Sequence, residues 1–275
     1  MSWKILFKTM CVLTTLIFNQ SIAQNYKVYY RMNYKTDSLE KEIKNKNMIL
    51  LIKDNKSKFY SQDQFENDST VIENRKKGIK SQIKYDYDFM VIKDFKTKKI
   101  SKFTVLLRDL YKLSDNIPTF HWNINSETKK IAGYNCQKAT LNYSCRDWEV
   151  WFTTDIAIQE GPSLFNGLPG LIIYMKDMKD NYEFSFTGIK KNEITDINYF
   201  SITFLEVTKK QLAKVLIDHY NDPYREMKAG NIKVLWQDEN GKQFKPDYNE
   251  LTKSEQKHMK NNNNPIELSE ATKYP

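Results

Sequence analysis

Gly167-Leu168-Pro169-Gly170-Leu171-Ile172, continuing into Ile173-Tyr174, reads as a tight turn that feeds a buried strand. Pro169 presets φ for the second position of a type II turn, and Gly170 would take the positive φ that the third position requires. Leu171 to Tyr174 is apolar and β-prone, the composition of a short core strand. On this reading Gly170→Ala costs roughly 1 kcal/mol, the price of a side chain in left-handed backbone. The functional alternative is a ligand approaching the bare backbone at Gly167 or Gly170, but turn chemistry accounts for every residue of the stretch.

Working outward, the same grammar of short strand, polar turn and short strand recurs. Residues 26–32 form a first strand. Residues 48–52 and 57–60 form a hairpin around Asp54-Asn55-Lys56, and 61–81 read as a polar surface loop with at most one helical turn. Strands follow at 87–92, 99–106, 120–124, 134–141, 146–152, 171–175 and 182–189. Trp148, Val150 and Phe152 alternate with polar neighbours, as do Phe184 and Phe186, so one face of each strand is built for a core. Trp151 lies on the face opposite Trp148. A tryptophan there calls for a covering element or an apolar surface that binds something. One helix is clear: Thr208 and Gln211 form a capping box, and Leu212, Val215, Leu216 and His219 repeat at helical spacing to about Tyr220. The expected fold is mainly β (α+β), a curved antiparallel sheet or half-barrel with one or two packing helices. It comprises one domain over 24–260 and an irregular tail over 261–275.

Several stretches carry a resemblance to a known family. Ile131-Ala132-Gly133-Tyr134-Asn135-Cys136-Gln137-Lys138-Ala139, then Arg146, Trp148 and Trp151-Phe152-Thr153-Thr154-Asp155-Ile156, then Gly161-Pro162 and the Gly167–Ile172 motif, and finally Asn264-Pro265-Ile266-Glu267-Leu268 all fit one pattern. That pattern resembles the GLPGLI family, also called Porph_ging, of Bacteroidota envelope proteins, a family without an established activity. The family commonly has Gly before the hairpin Arg, where this chain has Cys145. The hairpin and proline turn also look loosely like periplasmic lipoprotein carriers, which implies a half-barrel with an apolar concave face.

The first residues read as a secretory signal. Lys4 and Lys8 form a basic n-region, residues 9–18 an apolar stretch too short to span a bilayer, and Ser21-Ile22-Ala23 a cleavage site, with the mature chain beginning at Gln24. The expected location is therefore the periplasm, the outer-membrane surface or the medium, with no transmembrane segment in the mature chain. A net charge of +9 would suit an anionic partner, but the lysines are interspersed with Asp and Glu and form no arginine-rich cluster. Nucleic acid is disfavoured further by the export signal. Cys136 and Cys145 would sit roughly 15–20 Å apart along their hairpin, beyond disulfide reach.

No metalloprotease, nucleophile-elbow, Walker A, dinucleotide or C-x-x-C motif is present. His121, His219 and His258 are too scattered to suggest a metal site, and Asp155 and Glu160 are the one carboxylate pair that could serve acid–base chemistry. From the residues alone, the expectation is no catalytic residue, no cofactor and no metal. The chain reads as an exported, non-enzymatic binding or carrier module for an apolar ligand or lipid, with Trp148 and Trp151 as candidate ligand-facing residues. The alternative is an accessory protein contacting an outer-membrane protein partner.

Overall fold

The structure is a computed structural model that describes residues 25–107, 109–191, 197, 200 and 202–275. The expected signal cleavage between Ala23 and Gln24 lies outside the described residues. The elements run β1 (Tyr26–Tyr34), β2 (Lys44–Lys53), β3 (Lys56–Ser61), α1 (Gln62–Lys76), β4 (Val91–Asp94), β5 (Lys99–Leu106) and β6 (Asp109–Asn116). They continue with β7 (Asn123–Ile131), β8 (Tyr134–Tyr143), β9 (Arg146–Thr153), β10 (Leu171–Asp177), β11 (Tyr182–Lys191) and β12 (Leu205–Val207), then α2 (Lys209–Asn221), α3 (Arg225–Lys228) and α4 (Tyr248–Asn261). The strands form one open sheet in the order β12-β6-β5-β4-β3-β2-β1-β11-β10-β9-β8-β7. Its ladders are antiparallel except for β12, which pairs parallel to β6.

The expected mainly β fold is correct, and its curvature can be read from one side chain. Glu267 accepts from Tyr143 Oη of β8 at 2.7 Å and also pairs with Lys102 of β5. In the strand order those strands stand eight steps apart, roughly 38 Å in a flat sheet. One carboxylate can reach both only because the sheet curls until its limbs face each other across the segment carrying Glu267.

The concave face holds the main core. Val28, Tyr30, Met32, Leu50, Phe59, Val91, Phe184, Met175, Val150 and Trp148 point into it from successive strands. The 154–170 loop folds over it as a plug, burying Leu164, Phe165 and Leu168. On the other face Ile49, Leu51, Tyr60 and Phe103 form a second cluster with Phe65 of α1. The run Met48-Ile49-Leu50-Leu51 is thus buried on both faces, as expected of a central strand.

Three departures from the sequence reading have physical causes. The supposed loop at 61–81 contains the 15-residue α1, capped by Ser61. Its inner side is polar: Gln64 Nε2 and Tyr87 Oη both donate to buried Asp68, so it shows no apolar stripe to read. The 261–275 tail, expected only to be irregular, packs into the domain: Ile266 enters the concave core and Asn264 is buried. Thirdly, Gly170 does not have positive φ and the predicted type II turn does not form; within the motif the glycine with positive φ is Gly167, at +89°. Gly170 is needed for space, because a Cβ there would meet the Thr153 carbonyl oxygen at 1.9 Å.

Candidate functional site

The loop leading into β10 is tied to its strand by backbone bonds from Gly167 N to Gln159 O (3.1 Å), Leu171 N to Ile156 O (3.2 Å) and Ile172 N to Glu160 O (3.0 Å). This buries Glu160 inside the curl, whereas Asp155, the other carboxylate of the expected pair, is exposed. The true partner of Glu160 is Lys93 of β4: Nζ lies 2.5 Å from Glu160 Oε2 and 3.2 Å from the Phe165 carbonyl oxygen. Ser57 Oγ donates to the same carboxylate at 3.4 Å. Burial pushes the Glu160 carboxyl up and the Lys93 ammonium down, each opposed by attraction to the other. The pair pins the plug to the sheet. Both side chains are closed to solvent, so no substrate reaches them in this conformation.

A second network fastens the segment after α4. Arg146, at the start of β9, donates to the carbonyl oxygens of Ile266 (3.0 Å) and Pro265 (2.8 Å) and to Asn264 Oδ1 (2.5 Å), and pairs with Asp177 at 2.9 Å. Tyr182 Oη donates to the Asn264 carbonyl at 2.6 Å. Two segments far apart in sequence therefore form one lock. The planar guanidinium can serve four acceptors in one plane, which a lysine could not.

Held in this way, the strap over residues 264–273 forms one wall of an apolar groove with a cavity volume of about 540 Å³. The floor comes from Phe103 and Leu113 of β5 and β6, the opposite wall from Leu212, Leu216 and Ile217 of α2. At its rim Lys209 bridges Asp115 (3.1 Å) and Glu270 (3.4 Å). The Thr208–Gln211 capping box, present as expected, starts α2 at this rim.

Neither sequence-predicted tryptophan lines the groove. Trp148 is a core residue with its ring centroid 4.8 Å from that of Phe165, because its side of β9 faces the plug. Trp151 is on the opposite face, as its position in the strand implies, but it is covered: Lys129 Nζ sits 3.9 Å from the ring centroid and its own Nε1 donates to Glu149. Long lysine stems supply the covering element. Cys136 and Cys145 are both unpaired. His219 is half-buried on α2, and no cluster of three or more metal-ligating side chains occurs among the described residues. The groove went unforeseen because its walls come from α2, β5, β6 and the strap, which no single periodic stretch announces.

The family described as "N-glycanase peptide, N-terminal domain" matches residues 32–211. The chain belongs to this family. The expectation of a non-enzymatic module is thereby overturned: the family is the N-terminal domain of a glycan-cleaving enzyme. A crystal structure of PNGF-II in space group P21 shares the fold with a TM-score of 0.50 and 22% identity, covering 70% of this chain and 33% of that one; a C2 crystal form gives the same values. The chain thus spans about a third of that structure's length. A LolA superfamily protein from Nitrosomonas europaea aligns at a TM-score of 0.27 and 9% identity over 62% of this chain and 88% of its own. No curated protein matches the sequence significantly. Among the described residues no helix is long and apolar enough to cross a membrane.

Proposed function

We propose that this chain serves the removal of N-linked glycans from peptides, and that the groove between α2, the sheet and the strap binds the apolar side chains flanking the glycosylated residue. The observation that carries this reading is the family match over 32–211, which spans β2 to β12 together with the end of β1 and the first residues of α2. The groove adds a physical basis. Its volume falls within the range of small-ligand sites, and apolar walls with a few rim charges suit a short peptide segment better than a sugar.

The test is to incubate the chain with an N-glycosylated peptide and follow both retention and glycan loss by mass spectrometry. Saturable retention or release is expected, and Leu216→Asp should weaken it at least tenfold by placing a charge in the groove. A chain that neither holds nor trims the glycopeptide would refute the reading. A lipid adduct in native mass spectrometry would instead assign the groove to an acyl chain.

We propose also that the protein is exported, with the leader reading of residues 1–23 as support and N-terminal sequencing for Gln24 as its check. The Gly167–Ile172 motif and the Arg146–Asn264 lock support kinship with the GLPGLI family.

A further inference from the structure

Between α3 and α4 the chain turns back on itself in a small hairpin that belongs to no strand of the sheet and lies beyond the matched residues 32–211. Asp238 N donates to the Lys242 carbonyl at 3.0 Å and Phe244 N to the Trp236 carbonyl at 3.1 Å, on either side of an antiparallel bridge between Gln237 and Gln243. Asp238 Oδ1 accepts from Asn240 N (3.0 Å) and Lys242 N (2.8 Å), and Gly241 takes a φ of +77°, so the turn is specified by its own residues. The apolar side chains it carries belong to neither core cluster. Leu235 is 65% exposed, Phe244 50% and Val234 43%, and half-buried Trp236 lies beside Phe244 with ring centroids 6.4 Å apart. A single exposed leucine would need no explanation, but three such side chains and a tryptophan on one hairpin form a patch.

The charges around this patch choose its partner. Lys233, Lys242 and Lys245 are exposed and make no ion pair among the described residues. The hairpin's own acids are Asp238, whose carboxylate is taken up by backbone N–H groups, and Glu239 at the tip. Cations therefore outnumber uncommitted carboxylates beside the apolar side chains. A second copy of the chain would bring the same lysines against one another, which opposes self-association through this patch. The hairpin takes no part in the apolar groove, so the two surfaces are separable by mutation. Aliphatic and aromatic side chains flanked by lysines are the composition of a segment that lies in the interface of an anionic bilayer. There the aliphatic groups enter the acyl boundary, tryptophan sits at head-group depth and the ammonium groups meet phosphates. The formal net charge of +9 on the whole chain favours the same approach.

We infer that the hairpin over residues 232–245 docks the protein on anionic phospholipid bilayers, with Leu235, Phe244 and Trp236 entering the interface and Lys233, Lys242 and Lys245 pairing with head-group phosphates. The probe is a phosphatidylcholine vesicle containing one quarter phosphatidylglycerol, sedimented with the full chain, and pure phosphatidylcholine vesicles serve as the uncharged control. All variants share residues 1–23, so a difference between them reports the hairpin and not the apolar stretch at 9–18. Binding to the anionic vesicles is expected, at least tenfold tighter than to the control and weakened by added salt. The double variant Leu235→Ser, Phe244→Ser should lose at least tenfold in vesicle affinity at an unchanged melting temperature. Should it fail to fold, the triple variant Lys233→Gln, Lys242→Gln, Lys245→Gln carries the test through the loss of preference for anionic vesicles. Leu216→Asp should leave vesicle binding unchanged, because a lipid drawn into the groove would be lost with that variant instead. No binding by the unmutated chain, equal binding by the hairpin variants, or binding that depends on Leu216 overturns the inference. So does a dimer in analytical ultracentrifugation that dissociates in the Leu235→Ser, Phe244→Ser variant, which would assign the patch to a second copy.

Discussion

Gly170→Ala offers a direct test of why the motif carries its second glycine. The added Cβ would lie 1.9 Å from the Thr153 carbonyl oxygen, 2.6 Å from its carbon and 3.0 Å from Thr154 N. All three are backbone atoms that cannot rotate away. Relief requires β9 and the start of β10 to separate by about 1 Å at the Leu171–Thr153 pair that opens their ladder. Overpacking of this kind costs about 1–3 kcal/mol, and a lost ladder bond adds about 1 kcal/mol, so about 3 kcal/mol is expected. For a domain of this size that is a fall of roughly 6–12 °C in melting temperature. Urea unfolding followed by tryptophan fluorescence measures it, with the slope checked for two-state behaviour. Gly167→Ala is the control: φ is +89°, yet the new Cβ meets only Trp122 Nε1 at 3.9 Å, so roughly 1 kcal/mol is expected. Gly167→Asn should cost less, since Asn tolerates left-handed backbone. If Gly170→Ala proves milder than Gly167→Ala, backbone conformation and not space governs the motif, and the reasoning here is wrong.

Three further outcomes are expected. Ser144 and Cys145 sit at φ of +52° and +61° in the β8–β9 turn, so Cys145→Gly should stabilise the protein by about 1 kcal/mol, read as a higher urea midpoint. Lys93→Met or Glu160→Gln alone leaves a buried group without its partner and should cost roughly 3–5 kcal/mol. The double variant should recover most of that loss, and a cycle that is merely additive would show the pair to be uncoupled. Burial lowers the pKa of His219 despite a raising pull from Glu255, so the unfolded chain takes up this proton before the folded one. Its contribution is therefore complete above about pH 6.5 and declines as pH falls below that value. Melting temperatures from pH 7.5 to 5 should drop less steeply for His219→Gln than for the unmutated chain.

The sequence by itself determined the local grammar. Alternation in β9 and β11 identified strands and their core faces, the capping box located the start of α2, and the spacing of the two cysteines along a hairpin kept them apart. These are properties of neighbours, set by side-chain period and turn chemistry. The sequence could also place Trp151 on the outer face, but not the Lys129 ammonium over its ring, because that lysine arrives from β7, whose pairing with β8 emerges only in the folded sheet. The tertiary structure alone decided the rest. Glu160 and Lys93 are ordinary surface types until the plug loop removes both from water. Arg146 and Asn264 become one lock only when the segment after α4 returns to β9, β10 and β11, and the sheet's curl is what lets Glu267 reach β5 and β8 together. The groove exists because the lock holds the strap opposite α2. Burial and charge pairing depend on which distant segments meet, and local pattern carries no record of that.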